Sequence, residues 1–94
     1  MGTDLSRGDV RPYFLWDDDL SVDEFRCRLR SEDRNLALRA LARLLREARY
    51  EDVWLFVTPQ GIADRLAETE PFLGRSRPLW THLIRAWREL GLLR

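Results

Sequence analysis

The chain has 94 residues, with sixteen arginines, no lysine, sixteen acids and one histidine, so its formal net charge is zero. That length makes one domain able to bury roughly 60–65% of its unfolded surface, and the balanced charge argues against a dedicated nucleic-acid or membrane-surface binder. Without lysine there is no Schiff-base chemistry, and with Cys27 as the only cysteine there is neither an intrachain disulfide nor a thiolate metal cluster.

Hydrophobic residues make up 45% and charged residues 34%, a globular rather than a disordered balance. The first residues hold no apolar signal core, and the longest unbroken apolar run, Val53 to Val57, is too short to span a membrane. A reducing, cytoplasmic compartment is expected. Charge alternates along the chain. Residues 1–24 hold two arginines and seven acids, 25–50 eight and three, 51–74 one and five, and 75–94 five and one. Such blocks predict helices whose charges complement their neighbours, or a surface with separate acidic and basic faces.

Residues 1–10 are polar and are expected to be a flexible N-terminus, apart from a single helical domain over 11–94. Pro12 biases Arg11 towards an extended conformation. Tyr13, Phe14 and Trp16 follow without helical period, which predicts an extended aromatic arm laid across the body. The arm either closes the protein's own core or offers anchors to a partner. Asp17, Asp18 and Asp19 are adjacent and do not converge on a metal by themselves. Such a run suits the positive end of the helix that follows.

Ser21-Val22-Asp23-Glu24 is a capping box, and the helix it opens runs to about Leu29 or Arg30 with Val22, Phe25 and Leu29 inward. Cys27 reads as a small, semi-buried filler. Ser31 restarts helix as an N-cap, with acids in the first turn. From Asn35 to Ala48 nearly every residue is a strong helix former, and leucines and alanines sweep roughly 200° of the helix circumference. A stripe that wide needs neighbours on several sides, so this is the central helix. Arg39, Arg43 and Arg46 fill the remaining arc, either as a solvated face paired with neighbouring acids or as a grip on an acidic or phosphate-bearing partner.

Val53 to Val57 alone would pass for a buried strand, but no other stretch reads as β to pair with it, and Tyr50, Val53, Trp54 and Val57 recur at helical spacing. A short helix is the expectation. Thr58 and Pro59 open the next helix as N-cap and first helical residue. Ile62, Ala63, Leu66 and Ala67 form its inner stripe to Thr69, and Pro71 ends it. Phe72 and Leu73 are expected to tuck inward, and Ser76 to cap the last helix. There Leu79, Trp80, Leu83, Ile84, Ala86, Trp87 and Leu90 face the core, Thr81, His82, Arg85, Arg88 and Glu89 face out, and Gly91 stops it. The expected fold is all-α: a compact bundle of about five short helices around the Leu/Ala-rich one, with the arm extended over it.

His82 is a lone imidazole on a polar face. No catalytic triad, zinc set or Gly-rich phosphate loop is present, so the expectation is a non-enzymatic protein without cofactor or metal. Pro12-Tyr13-Phe14-Leu15-Trp16-Asp17-Asp18-Asp19, with Ala48 to Trp54 and Leu55 to Pro59, is similar to a family of small helical bacterial proteins. These are encoded beside nucleotidyltransferases of the abortive-infection (AbiEii-like) toxin type and are read as their antitoxins. The likeness covers most of residues 11–90. Where the family has Trp-Asp-aromatic-Asp, this chain has Asp18 in the aromatic place, so no aromatic role carries over to that position.

The short apolar runs predict no membrane association, and the resemblance implies a toxin partner and a toxin–antitoxin role. In that setting Tyr13, Phe14 and Trp16 would be anchors, and Asp17, Asp18 and Asp19 phosphate-like charges in the toxin's cationic groove. Arg39, Arg43 and Arg46 are the further partner-binding candidates. The alternative is a helix-turn-helix regulator over residues 58–91 that binds operator DNA through Arg75, Arg77, Thr81, His82, Arg85 and Arg88. Against it, the connection from Glu68 to Gly74 exceeds the usual three- to four-residue turn, and Trp80 and Trp87 mark the last helix as core.

Overall fold

Ser21 opens the first α-helix as its sequence predicts. Its hydroxyl accepts from the Glu24 amide at 3.2 Å, and the Ser21 amide donates to the Glu24 carboxylate at 3.3 Å. Helix α1, Val22–Leu29, follows this box and buries Val22, Phe25 and Leu29. In the computed structural model, residues 8–10, 12–15 and 20–94 are described, and every regular element among them is helical. Four more α-helices complete an all-α fold: α2 Arg34–Glu47, α3 Tyr50–Val53, α4 Pro59–Thr69 and α5 Arg77–Glu89. Single 3-10 turns lie at Tyr13–Leu15, Glu70–Phe72 and Gly74–Ser76.

Helix α2 is the axis. It packs on α1, α3, α4 and all three 3-10 turns, and buries Ala37, Ala40, Leu41, Ala42, Leu44 and Leu45. Arg34 of α2 pairs with Glu68 of α4, and Arg77 meets Glu70 at 2.9 Å. The basic second and fourth blocks thus find acids in the third. Leu36 lies outside the buried stripe at 39% exposure, so the apolar arc is wider than the surface its neighbours cover.

Several local expectations are corrected, among them Leu79 and Leu90, which are expected against the core and are exposed. The N-cap of α2 is Asp33, not Ser31: one Asp33 carboxylate oxygen accepts from the amides of Asn35 and Leu36, and the Ser31 hydroxyl accepts from the Asp33 amide. The carboxylate accepts from both first-turn donors and brings negative charge to the positive helix end, which a neutral hydroxyl lacks. The stretch after Val53 leaves the helix in a turn closed by Phe56 and Val57 amides on the Val53 carbonyl, which sends Leu55 outward. Phe72 stays 55% exposed while Leu73 is fully buried: Phe72 closes one 3-10 turn, Leu73 links it to the next, and the two side chains point in different directions. Ser76 holds the N-cap position of α5 as expected but makes no side-chain cap bond, since its hydroxyl donates to the Leu73 carbonyl at 2.7 Å.

The N-terminal arm is not extended at its aromatic part. Tyr13–Leu15 is a helical turn, closed by the Leu15 amide on the Pro12 carbonyl at 3.1 Å. Turning lets the neighbours Phe14 and Leu15 both reach the core. Phe14 is 1% exposed and lies edge-on to Tyr13, Phe25 and Phe56 at centroid distances of 5.2–5.7 Å. Upstream, the Val10 and Gly8 carbonyls accept from the Val22 and Asp23 amides, so residues 8–10 satisfy first-turn donors of α1. The expectation for residues 1–7 lies outside the described residues.

The far end of α2 is sealed by two distant aromatics. The backbone leaves the helix at Ala48, which would strand the Leu45 carbonyl and the Arg49 amide. The Trp80 indole donates to the former at 2.8 Å, and the Tyr13 hydroxyl accepts from the latter at 2.7 Å. Trp80, Trp54, Trp87 and Tyr50 then form an aromatic cluster that joins α3 to α5.

The Tyr13 hydroxyl also donates to Asp52 at 2.6 Å. Burial, and then that hydrogen bond, raise the phenol above its ordinary 10.0. The folded state therefore holds this proton more tightly than the unfolded one. The contribution is complete below pH 10 and is lost as pH rises through the folded value. Chemical denaturation across the alkaline range is expected to show that loss, and Tyr13→Phe to flatten it. An equal slope in the variant would place the loss elsewhere.

Candidate partner-binding groove

Arg39, Arg43 and Arg46 stand at i, i+4 and i+7 on α2 and so share a face. That face meets Arg28 on α1 and the 3-10 turn that carries Leu15. Between them lies an open groove of about 360 Å³ whose described lining includes all four arginines. Its floor is apolar, with Leu15, Leu20, Phe25 and Ala40, and the exposed Leu36 and Phe72 form its rim. No described residue that lines it is acidic.

The four guanidinium groups are not equivalent. Arg43 donates to the Phe14 carbonyl at 2.9 Å, which clamps the N-terminal turn to α2. Arg46 donates to the Phe72 carbonyl at 3.2 Å and to Glu47 at 3.1 Å, which ties in the turn after α4. Arg28 and Arg39 are exposed, and their side chains have no hydrogen-bond or ion-pair partner among the described residues. The groove thus has two arginines that hold its walls and two whose forks are open to solvent. A planar guanidinium donates two parallel hydrogen bonds to a carboxylate or phosphate, and an apolar floor beside it fits an adjoining hydrophobic side chain.

The structure therefore brings Arg39, Arg43 and Arg46 to one site. It removes Phe14 from the free anchors, because that ring is in the core, and leaves Tyr13 half-buried against Asp52 and Arg49. Trp16, Asp17, Asp18 and Asp19 lie outside the described residues, while Leu15 and Leu20 on either side of them both line the groove. Arg28, Leu36 and Phe72 are groove residues that sequence reasoning did not single out. The wide apolar arc of α2 predicts an inward Leu36, and the apolar character of Phe72 predicts the same for it, whereas both are exposed. Arg28 carried one usable signal, since it follows the buried Phe25 by three positions and so stands beside it on α1.

The residues proposed for DNA are differently placed. Arg77 is paired with Glu70, the Thr81 hydroxyl donates back to the Arg77 carbonyl at 2.9 Å, and Arg88 donates to the Ala63 carbonyl at 3.3 Å. Arg75, His82 and Arg85 are exposed. Cys27 is exposed rather than semi-buried, because it falls between the inward Phe25 and Leu29 on α1. Among the described residues no cluster of three His, Cys, Asp or Glu is placed to hold a metal, and no helix is long and apolar enough to cross a membrane.

Compared with family models, curated proteins and solved structures, the chain matches none of them.

Proposed function

We propose that the protein is a non-catalytic interaction module that binds and neutralises a nucleotidyltransferase-type toxin. The observation that carries the binding role is the groove: four arginines over an apolar floor, with no acid in its described lining. It suits a partner segment in which carboxylates alternate with large apolar side chains. The nature of the partner rests on the likeness of residues 11–90 to small helical proteins encoded beside such enzymes.

Tagged protein purified from its native host is expected to carry a nucleotidyltransferase, and addition of the purified chain is expected to block nucleotidyl transfer by that enzyme. Transfer that proceeds unchanged at saturating chain would overturn the proposal. Asp17, Asp18 and Asp19 supply the second contact, as anions presented to the enzyme's cationic site. Replacing all three by asparagine is expected to weaken neutralisation while the circular dichroism spectrum stays native. An unaltered dissociation constant would remove them from the interface.

A further inference from the structure

Helix α5 carries more apolar surface than its own chain covers. Leu79, Leu83, Ala86 and Leu90 recur at spacings of four, three and four, the seam of a two-helix contact. The ends of that seam are open: Leu79 is 48% exposed and Leu90 72%. One flank of the seam is closed by the chain itself, because Trp80 packs against Tyr50 and Trp54, and Trp87 against Trp54. The other flank holds His82 and Glu89, seven residues apart and both exposed.

We propose that this face is a homodimer interface, in which α5 packs antiparallel against α5 of a second copy about a two-fold axis. The flank residues select this occupant. In an antiparallel pair each flank meets the same flank of the other helix. Setting Leu79 on Leu90 of the second copy, and Leu83 on Ala86 of the second copy, places His82 opposite Glu89 of the second copy. The two-fold axis repeats each contact. One register therefore matches the apolar seam and pairs an imidazole with a carboxylate twice. The small Ala86 near the centre lets the two helices approach closely. A closed, two-fold contact also leaves no copy of the seam exposed for further growth. The groove on α1 and α2 takes no lining residue from α5, so the dimer and the toxin contact are separate surfaces.

Light scattering or sedimentation over a concentration series is expected to give a mass approaching twice the 11.2 kDa of one chain. Leu79→Glu and Leu90→Glu are each expected to weaken self-association about tenfold or more, as loss of an interface anchor does, with unchanged helical circular dichroism. The exposure of Leu90 makes its variant the safeguard should the first fail to fold. His82→Glu sets carboxylates face to face and is expected to weaken the dimer, and adding Glu89→Arg to it is expected to restore it. A mass of one chain at every concentration would overturn the proposal. So would a dimer indifferent to Leu90→Glu, or a His82→Glu variant that associates as the parent does.

Discussion

Trp80→Ala is expected to be the most destabilising single substitution in the chain. The side chain is 1% exposed and stands where α2, α3 and α5 meet. Truncating a buried aromatic to alanine costs about 3–5 kcal/mol, because the cavity it leaves collapses only in part. Trp80 also satisfies the Leu45 carbonyl at the end of α2, and stranding a buried acceptor adds about 1–3 kcal/mol. Against a total stability of about 5–15 kcal/mol for a small domain, the variant is expected to be largely unfolded or to melt far below the parent. Trp80→Phe separates the two causes, since it keeps much of the packing and loses only the donor. Urea denaturation of both variants is the check. A Trp80→Ala protein with parental stability would mean that the aromatic cluster is not a joint of the fold.

Phe14→Ala is expected to have an effect of similar size, with a different consequence. Phe14 is the ring on which Tyr13, Phe25 and Phe56 converge, and its removal is expected to cost about 3–5 kcal/mol. Its backbone carbonyl is also the acceptor for Arg43, so the turn that loses its anchor is the turn that walls the groove. The N-terminal turn is expected to detach before the rest of the body melts. Amide hydrogen exchange would show this as lost protection at Val22 and Asp23, whose amides are held by the Val10 and Gly8 carbonyls. Partner binding is expected to fall together with that protection. A variant with intact protection at those amides would place the anchor of the arm elsewhere.

What could be read directly from the chain was what short-range chemistry decides. The Ser21–Glu24 box, Thr58 before Pro59, the Leu/Ala helix and the stop at Gly91 each depend on residues within four positions of one another. Gly91 takes φ of +78°, a conformation that costs other residues strain. Where two local signals competed, the stronger acceptor won, as Asp33 did over Ser31. Where a helical turn replaced an extended arm, burial of Phe14 and Leu15 together outweighed the aperiodic pattern of Tyr13, Phe14 and Trp16.

The groove was legible only in part. Helical spacing put Arg39, Arg43 and Arg46 on one face, but nothing local shows that Arg43 and Arg46 end on the Phe14 and Phe72 carbonyls. Those bonds join residues 29 and 26 positions apart. The same holds for Arg65 on the Leu29 carbonyl and Arg88 on the Ala63 carbonyl. An all-arginine cation set lets one residue type serve both as a clamp on backbone oxygens and as an open fork. Only tertiary placement tells the two apart.

Arg28→Glu combined with Arg39→Glu tests the groove most directly, because neither side chain has a partner among the described residues whose loss would disturb the fold. Calorimetric titration of the proposed nucleotidyltransferase partner with this double variant is expected to show affinity reduced about a hundredfold or more, at unchanged thermal stability. An affinity equal to that of the parent chain would contradict the assignment of this groove as the binding site.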